Sequence, residues 1–278
     1  MEKMIQERAY AKVNLTLGVT GRRTDGYHLL DSLMQTVDLH DEVTVTRSRE
    51  VVVTCTGMLL PYRNTLRAAA ERYRALTGRG ARIHVYKHIP AEAGLGGGSA
   101  DAAAVLRGMQ RLYGEAEERD LYDIALRVGA DVPFCLRGGL CRAQGIGEVL
   151  TPLRSGATLD LVLAKPVRGV STAALFRELS LPRPLPDTAR ALAALAAGDV
   201  PSLASRLYNA LEEAAVELVP EIRTLRERMA ALGALGACMS GSGSAVFGLF
   251  PSQAAAEAAA AALRGDPACA FACAARSV

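Results

Sequence analysis

No Cys-x-x-Cys pair occurs in the 278 residues, and the six cysteines, at 55, 135, 141, 238, 269 and 273, are scattered, several of them inside apolar runs. That leaves buried, reduced thiols as the expectation rather than a zinc or dithiol framework. Cys269 and Cys273 fall on one face of a strand, as do His84 and His88, but neither pair is read as a metal site, and no metal ligand is expected from the protein. No run of about 18 apolar residues is present, as a membrane-spanning helix requires. The N-terminal Met-Glu-Lys-Met-Ile-Gln-Glu-Arg carries acidic residues where a secretory signal has an apolar core. The expectation is a cytoplasmic protein with no membrane partner. Charge is also in short supply. A net +3 with scattered lysines and arginines gives no reason to expect a nucleic-acid partner, although a pI near 8.6 suits small anionic substrates. Two familiar nucleotide loops are missing as well. There is no Gly-x-x-x-x-Gly-Lys-Ser/Thr, and Gly94-Leu-Gly-Gly-Gly-Ser99 ends in Ser where a dinucleotide fingerprint has Gly or Ala.

What is present is a glycine loop of another kind. Pro90-Ala-Glu-Ala-Gly94-Leu95-Gly96-Gly97-Gly98-Ser99 joins the alternating run Arg82–Ile89, read as a half-buried strand, to Ala100–Tyr113, which has helical apolar spacing. Glycines leave backbone N–H groups unshielded by Cβ atoms, and the start of a helix favours anions. The loop is therefore read as a phosphate-binding element, with an ordinary turn as the plainer alternative.

Along the rest of the chain, strands are predicted at 8–19, 37–46 and 51–56, then a helix from Asn64 to about Thr77 that Gly78 ends. A helix over 118–128 and a strand, loop and strand within 138–150 follow. A second section opens near Leu159, with helical patterns at 187–197, 201–219 and 220–232. Two short strands flank the serine-glycine turn within 238–250, and a helix at 252–263 and a strand at 269–275 close the chain. The alanine-rich 254–262 is read as a packed amphipathic helix rather than low complexity. Strands and helices mix throughout, so the fold class is α+β, with two domains at 1–157 and 158–278.

Several residues carry two readings each. Asp131, in Gly129-Ala-Asp-Val-Pro133, suits a helix N-cap and suits a general base equally well. Lys12 and Asn14 point to the face of their strand opposite Val13 and Leu15, where a lysine ordinarily meets solvent. Tyr27 and His28 follow a turn at Gly26 and could be loop packing. Asn64 is a natural cap for its helix, and Ser240-Gly241-Ser242-Gly243 could be only a tight turn.

Three separated segments agree with one another. The strand Ala11-Lys12-Val-Asn14-Leu15, the loop Pro90 to Ser99, and Met239-Ser-Gly-Ser-Gly-Ser244 together resemble the three motifs of the GHMP kinases, the superfamily of galacto-, homoserine, mevalonate and phosphomevalonate kinases. Asp25-Gly-Tyr27-His28, Met34-Gln35, Gly129-Ala-Asp131-Val-Pro133-Phe, Gly145-x-Gly147-Glu148 and Val170-Ser-Thr172 with Phe176 resemble the branch that acts on a cytidine-diphosphate-linked methylerythritol in the non-mevalonate route to isoprenoid precursors. The match spans most of the chain and thins after about residue 180.

The resemblance implies a two-domain fold, an N-terminal α+β domain with a left-handed βαβ crossover and a C-terminal ferredoxin-like domain, with the active site in the cleft. It implies transfer of phosphoryl from ATP, carried with Mg²⁺, to the 2-hydroxyl of a small substrate bearing a cytidine diphosphate group, by a monomer or homodimer. Asp131 would be the base and Lys12 its partner. Pro90, Gly94, Leu95, Gly96, Gly97, Gly98 and Ser99 would hold phosphate, with Asn64 and Lys87 near the nucleotide. Tyr27 and Phe176 would stack on cytosine and His28 would bond its edge. Asn14 and Thr172 would meet the polyol, and Ser240 and Gly241 would shape the substrate phosphate region. One position departs from the pattern: Ala100 stands where the family usually has a second serine. Other GHMP kinases remain an alternative, as does a non-catalytic nucleotide or RNA binder on the same fold.

Overall fold

In a computed structural model the described residues are 3–171, 175, 177 and 183–278. Two long strands come first, β1 (Met4–Arg22) and β2 (His28–Ser48), followed by β3 (Val52–Thr56), α1 (Thr65–Thr77), β4 (Gly80–Tyr86), α2 (Gly97–Tyr113), α3 (Glu118–Val128) and α4 (Val132–Arg137). The hairpin β5 (Leu140–Gly145) and β6 (Val149–Leu153) and the strand β7 (Asp160–Lys165) come next. Then come α5 (Thr188–Ala197), α6 (Val200–Ala204), β8 (Tyr208–Asn209), α7 (Glu212–Leu218) and α8 (Glu221–Ala231). The chain closes with β9 (Gly236–Met239), β10 (Val246–Phe250), α9 (Gln253–Leu263) and β11 (Phe271–Arg276).

The elements gather into two compact units that interleave along the chain. One holds residues 1–11, 39–89 and 96–138, and the other 12–38, 90–95 and 139–278. Both β1 and β2 begin in one unit and end in the other.

In the first unit, the later half of β2 pairs antiparallel with β4, Val43 opposite Val85 and Val45 opposite Ile83, and β4 pairs in parallel with β3. Ala81, Ile83 and Val85 are fully buried while the residues between them are not, the alternation expected of a strand with one face against helices. Helix α2 lies so close to β2 that a Cβ on Gly108 would come within 2.7 Å of Val45 Cγ2, which is why a glycine sits in mid-helix there. α1 begins at a side-chain cap, with the Arg67 amide donating to Asn64 Oδ1 at 2.9 Å, and ends at left-handed Gly78.

In the second unit, an antiparallel sheet runs β11-β7-β10-β9, and Leu161 to Ala164 and Val246 to Phe250 are fully buried at its centre, Gly248 included. Against it pack α8, through Ile222, Leu225 and Met229, and α9, through Ala256, Ala259, Ala260 and Leu263. The alanine-rich helix is thus a packed one. The two strands around the serine-glycine turn pair as expected, Val246 opposite Met239.

Three expectations need correction. The strand read at 37–46 runs from His28 to Ser48, because its earlier half pairs with β5 and is buried on both faces, leaving no alternation to detect. Helix α2 begins three residues before Ala100, in glycines that carry no apolar signal. The helix read over 201–219 is broken, because Tyr208 and Asn209 pair in parallel with Thr16 and Leu17 of β1, and Leu211 N–H turns back to Asn209 Oδ1. Tertiary pairing overrides helical spacing at that point.

Candidate active site

In the second unit β1 carries Lys12, Asn14 and Thr16 on one face and Val13, Leu15 and Leu17 on the other, and both faces are buried. Lys12 is only 3% exposed, which removes the solvent-facing reading. Its ammonium donates to Asn14 Oδ1 at 2.7 Å. Asn14 Nδ2 donates to Ser32 Oγ at 2.8 Å, and Ser32 Oγ donates to the Thr16 carbonyl at 2.6 Å. A buried lysine needs such acceptors, since an unpaired charge out of water is costly.

Two loops close on this strand within the same unit. The Lys12 amide donates to Leu95 O at 3.0 Å, the Asn14 amide to Ser240 Oγ at 3.3 Å, and Ser240 Oγ in turn to Gly94 O at 3.1 Å. Further along, the amides of Ser244 and Ala245 donate to the carbonyls of Glu92 and Ala93. Gly94 has φ +70°, and a Cβ there would stand 2.0 Å from the Ser240 carbonyl oxygen, so no other residue fits. A Cβ on Gly241, at φ +56°, would lie 3.0 Å from Lys12 Nζ and 3.4 Å from Asn14 Oδ1. The serine-glycine segment, with Ser240 and Gly241, is therefore packed on the start of the glycine loop and on Lys12.

Asn209, which sequence reading passed over, holds that segment from beneath: its Nδ2 donates to both Met239 O and Gly241 O at 2.8 Å. The available signal was a polar residue standing among apolar ones in Leu-Tyr-Asn-Ala-Leu. Tyr27, 60% exposed, ends a turn in which its amide donates to Asp25 Oδ1, whereas His28 is buried. Burial, and then the Arg22 charge, lowers the His28 pKa. Pro90 is half-buried. Thr172 and Phe176 lie outside the described residues.

In the first unit, α2 starts on Gly96, which is left-handed at φ +73°. The amides of Gly97, Gly98 and Ser99 occupy its first turn, where no intrahelical acceptor exists, and the helix dipole adds positive potential. Gly98 is exposed, and a Cβ there would meet only the Thr65 side chain, whose hydroxyl donates to Gly98 O at 2.6 Å. The turn is thus open to a ligand and propped from behind. Ala100 is buried.

Lys87 follows β4, and its ammonium lies between two carboxylates, donating to Asp101 Oδ2 at 2.6 Å and to Asp41 Oδ2. Asp41 is fully buried and accepts from the amides of His88 and Ile89, while Asp101, 1% exposed, leaves its Oδ1 without a partner. Burial raises the Asp101 carboxyl to about 7; Lys87 opposes that shift and Asp41 adds to it. Lys87 itself is raised, because the two carboxylates together outweigh the opposing effect of burial. Asp41 gave no sequence signal beyond an acidic residue inside an apolar strand.

Asp131 takes the N-cap place of α4 with Pro133 just inside, but in αR conformation and with no capping hydrogen bond from its side chain. Asn64 does cap, and its Nδ2 donates to Pro61 O. Among the described residues no group of three or more His, Cys, Asp or Glu side chains could hold a metal, and no helix is long and apolar enough to cross a membrane. All six cysteines are free thiols.

Comparison with known proteins bears on these features. The family described as GHMP kinases N terminal domain matches residues 64–139, and that described as GHMP kinases C terminal matches 191–267. The chain is 43% identical over 263 residues to a 4-diphosphocytidyl-2-C-methyl-D-erythritol kinase of Desulfitobacterium hafniense strain Y51, covering 92% of this chain and 91% of that protein. It is 40% identical over 255 residues to the kinase of the same name from Caldicellulosiruptor saccharolyticus, covering 88% of each. A crystal structure of a 4-(cytidine 5'-diphospho)-2C-methyl-D-erythritol kinase superposes with a TM-score of 0.85 at 39% identity, over 98% of this chain and 99% of that one.

Proposed function

The chain belongs to the GHMP kinases, in the family of the 4-diphosphocytidyl-2-C-methyl-D-erythritol kinases, and we propose that it transfers the γ-phosphoryl group of ATP to the 2-hydroxyl of 4-diphosphocytidyl-2-C-methyl-D-erythritol, giving the 2-phosphate and ADP. That step belongs to the non-mevalonate route to isoprenoid precursors. Phosphoryl transfer of this kind asks the protein mainly for in-line positioning and for neutralisation of charge.

The first-turn amides of α2, Gly97 to Ser99, bind the phosphate tail, and Gly94 to Gly96 set the entry of the chain into that turn. Asn64 and Lys87 lie on the nucleotide side. Asp131 receives the proton of the attacking hydroxyl, for which a carboxylate not committed to capping is suited. Lys12 supplies a fixed positive charge to the reacting oxygens, and Asn14 orients both it and the polyol. Ser240 and Gly241 shape the region that receives the substrate phosphate. Tyr27, Phe176 and His28 recognise the cytosine, and Thr172 contacts the polyol; a flat aromatic face suits a pyrimidine. No group of three or more His, Cys, Asp or Glu side chains among the described residues could hold Mg²⁺, which would come with the triphosphate and neutralise phosphate charge there.

The observation that carries this reading is the buried Lys12, acceptor-bonded to Asn14 on a strand whose backbone is pinned to Leu95 and Ser240. A cation buried at such cost beside the glycine loop calls for an anionic reaction centre. The test is ADP release by the purified chain with the cytidyl substrate, mevalonate and homoserine in parallel. Turnover confined to the first is expected. Equal turnover of mevalonate or homoserine, or none at all, would overturn the assignment.

A further inference from the structure

Resting on that reading for the location of the triphosphate, we propose that Lys87, Asp41 and Asp101 form a buried positioning clamp that sets the first turns of the phosphate-binding helix, Lys87 acting through the helix and not as a phosphate ligand, and that a proton held in the clamp tunes nucleotide affinity. The geometry points to it in three ways. One ammonium bridges a carboxylate of β2 and a carboxylate of α2, two elements far apart in sequence. Asp41 also accepts from the amides of His88 and Ile89, so the strand exit just before the glycine loop is held by the same group. Finally, a Cβ on Gly97 would lie 3.0 Å from Ile89 Cγ2 and 3.5 Å from Lys87 Nζ, so the clamp lies directly behind the first helical turn.

The charge balance gives the clamp a second property. Two carboxylates facing one ammonium carry a net −1 when both are ionised, and Asp101 Oδ1 has no donor to compensate it. Protonating Asp101 brings the cluster to neutrality, and its carboxyl, raised to about 7 by burial and by Asp41, does so near physiological pH. A further titratable group sensing the cluster is the Cys55 thiol of β3, itself raised by burial and neutral in this range. Above neutrality a negative charge would stand behind the amides that receive the triphosphate, which weakens binding. The stability sign follows from the same shift. A carboxyl raised in the folded state gives stability that is full below the unfolded value of 3.8 and lost as pH climbs through about 7.

The experiment uses the full chain as Asp101→Asn, Lys87→Met and wild type, with KM for ATP, kcat, binding of a fluorescent ATP analogue and melting temperature measured between pH 5.5 and 8.5. For Asp101→Asn the effect should fall on KM for ATP more than on kcat. The wild-type KM, divided by that of the variant at the same pH, should rise about threefold to tenfold from pH 6 to 8, a ratio that cancels the titration of ATP itself. Wild-type melting temperature should fall relative to the variant over the same range. Lys87→Met should lose stability and recover analogue affinity when combined with Asp41→Asn and Asp101→Asn, because removing all three charges leaves none unpaired. A flat ratio, or a folded triple variant that still cannot bind the analogue, would overturn the clamp and make Lys87 a direct ligand. Analogue binding with the predicted pH trend in a chain that phosphorylates no alcohol would overturn the kinase assignment and leave the clamp standing.

Discussion

The two units hold their glycine-bearing segments rigid by opposite means. The first uses charge: a lysine between two buried aspartates behind a helix start that no side chain caps. The second uses mainly neutral hydrogen bonds, backbone to backbone and through Asn14, Ser32, Ser240 and Asn209, with Lys12 as its buried cation. Charge at the first site can respond to pH, while a network of amides and hydroxyls cannot. The glycines divide in the same way. Gly94 and Gly241 are required by neighbouring backbone and side chains, whereas Gly98 faces outward.

Gly94→Ala should be the most damaging change to the second unit. A methyl 2.0 Å from the Ser240 carbonyl at a positive φ should cost about 4 kcal/mol, read as a fall in the denaturation midpoint. Asp131→Asn should lower kcat about 10² to 10³-fold with ATP affinity nearly intact, and the far-ultraviolet spectrum should be unchanged because no capping bond is lost. A matching loss of stability would restore the capping account. Tyr27→Ala, at a 60% exposed position, should raise KM for the cytidyl substrate about tenfold and leave stability within about 0.5 kcal/mol. Gly98→Ala should be mild for folding, about 0.5 kcal/mol either way, while raising KM for ATP as its methyl covers an amide. If Gly98→Ala destabilised as much as Gly94→Ala, the contrast between a ligand-facing and a packed glycine would fail.

The strand, glycine loop and helix, and the family motifs, could be read directly because their signals are local: glycines at fixed spacing, then a helix. The helix cap at Asn64 was equally local. The length of β2 was hidden because Ser32, Gln35 and Thr36 are buried beside Leu33 and Met34, which erases the alternation that marks a strand. The break at Tyr208–Asn209 was hidden for a different reason. Parallel pairing with Thr16 and Leu17 spans some 190 residues of chain, and nothing near Asn209 announces it. Asp41 illustrates the same limit. It was one acidic residue among several in an alternating run, and its role depends on Lys87 and Asp101 arriving from two other elements.

Composition and spacing were thus enough for an α+β fold class, and the resemblance of three local motifs was enough for a GHMP kinase, since each depends on signals carried by a few residues. Folding in three dimensions settled which polar side chains are desolvated. Whether Lys12 meets water or Asn14, whether Asp131 caps its helix, and whether Asp101 holds a proton near neutrality depend on neighbours brought from distant parts of the chain. Burial and Coulombic interaction act through space, and no linear pattern records them.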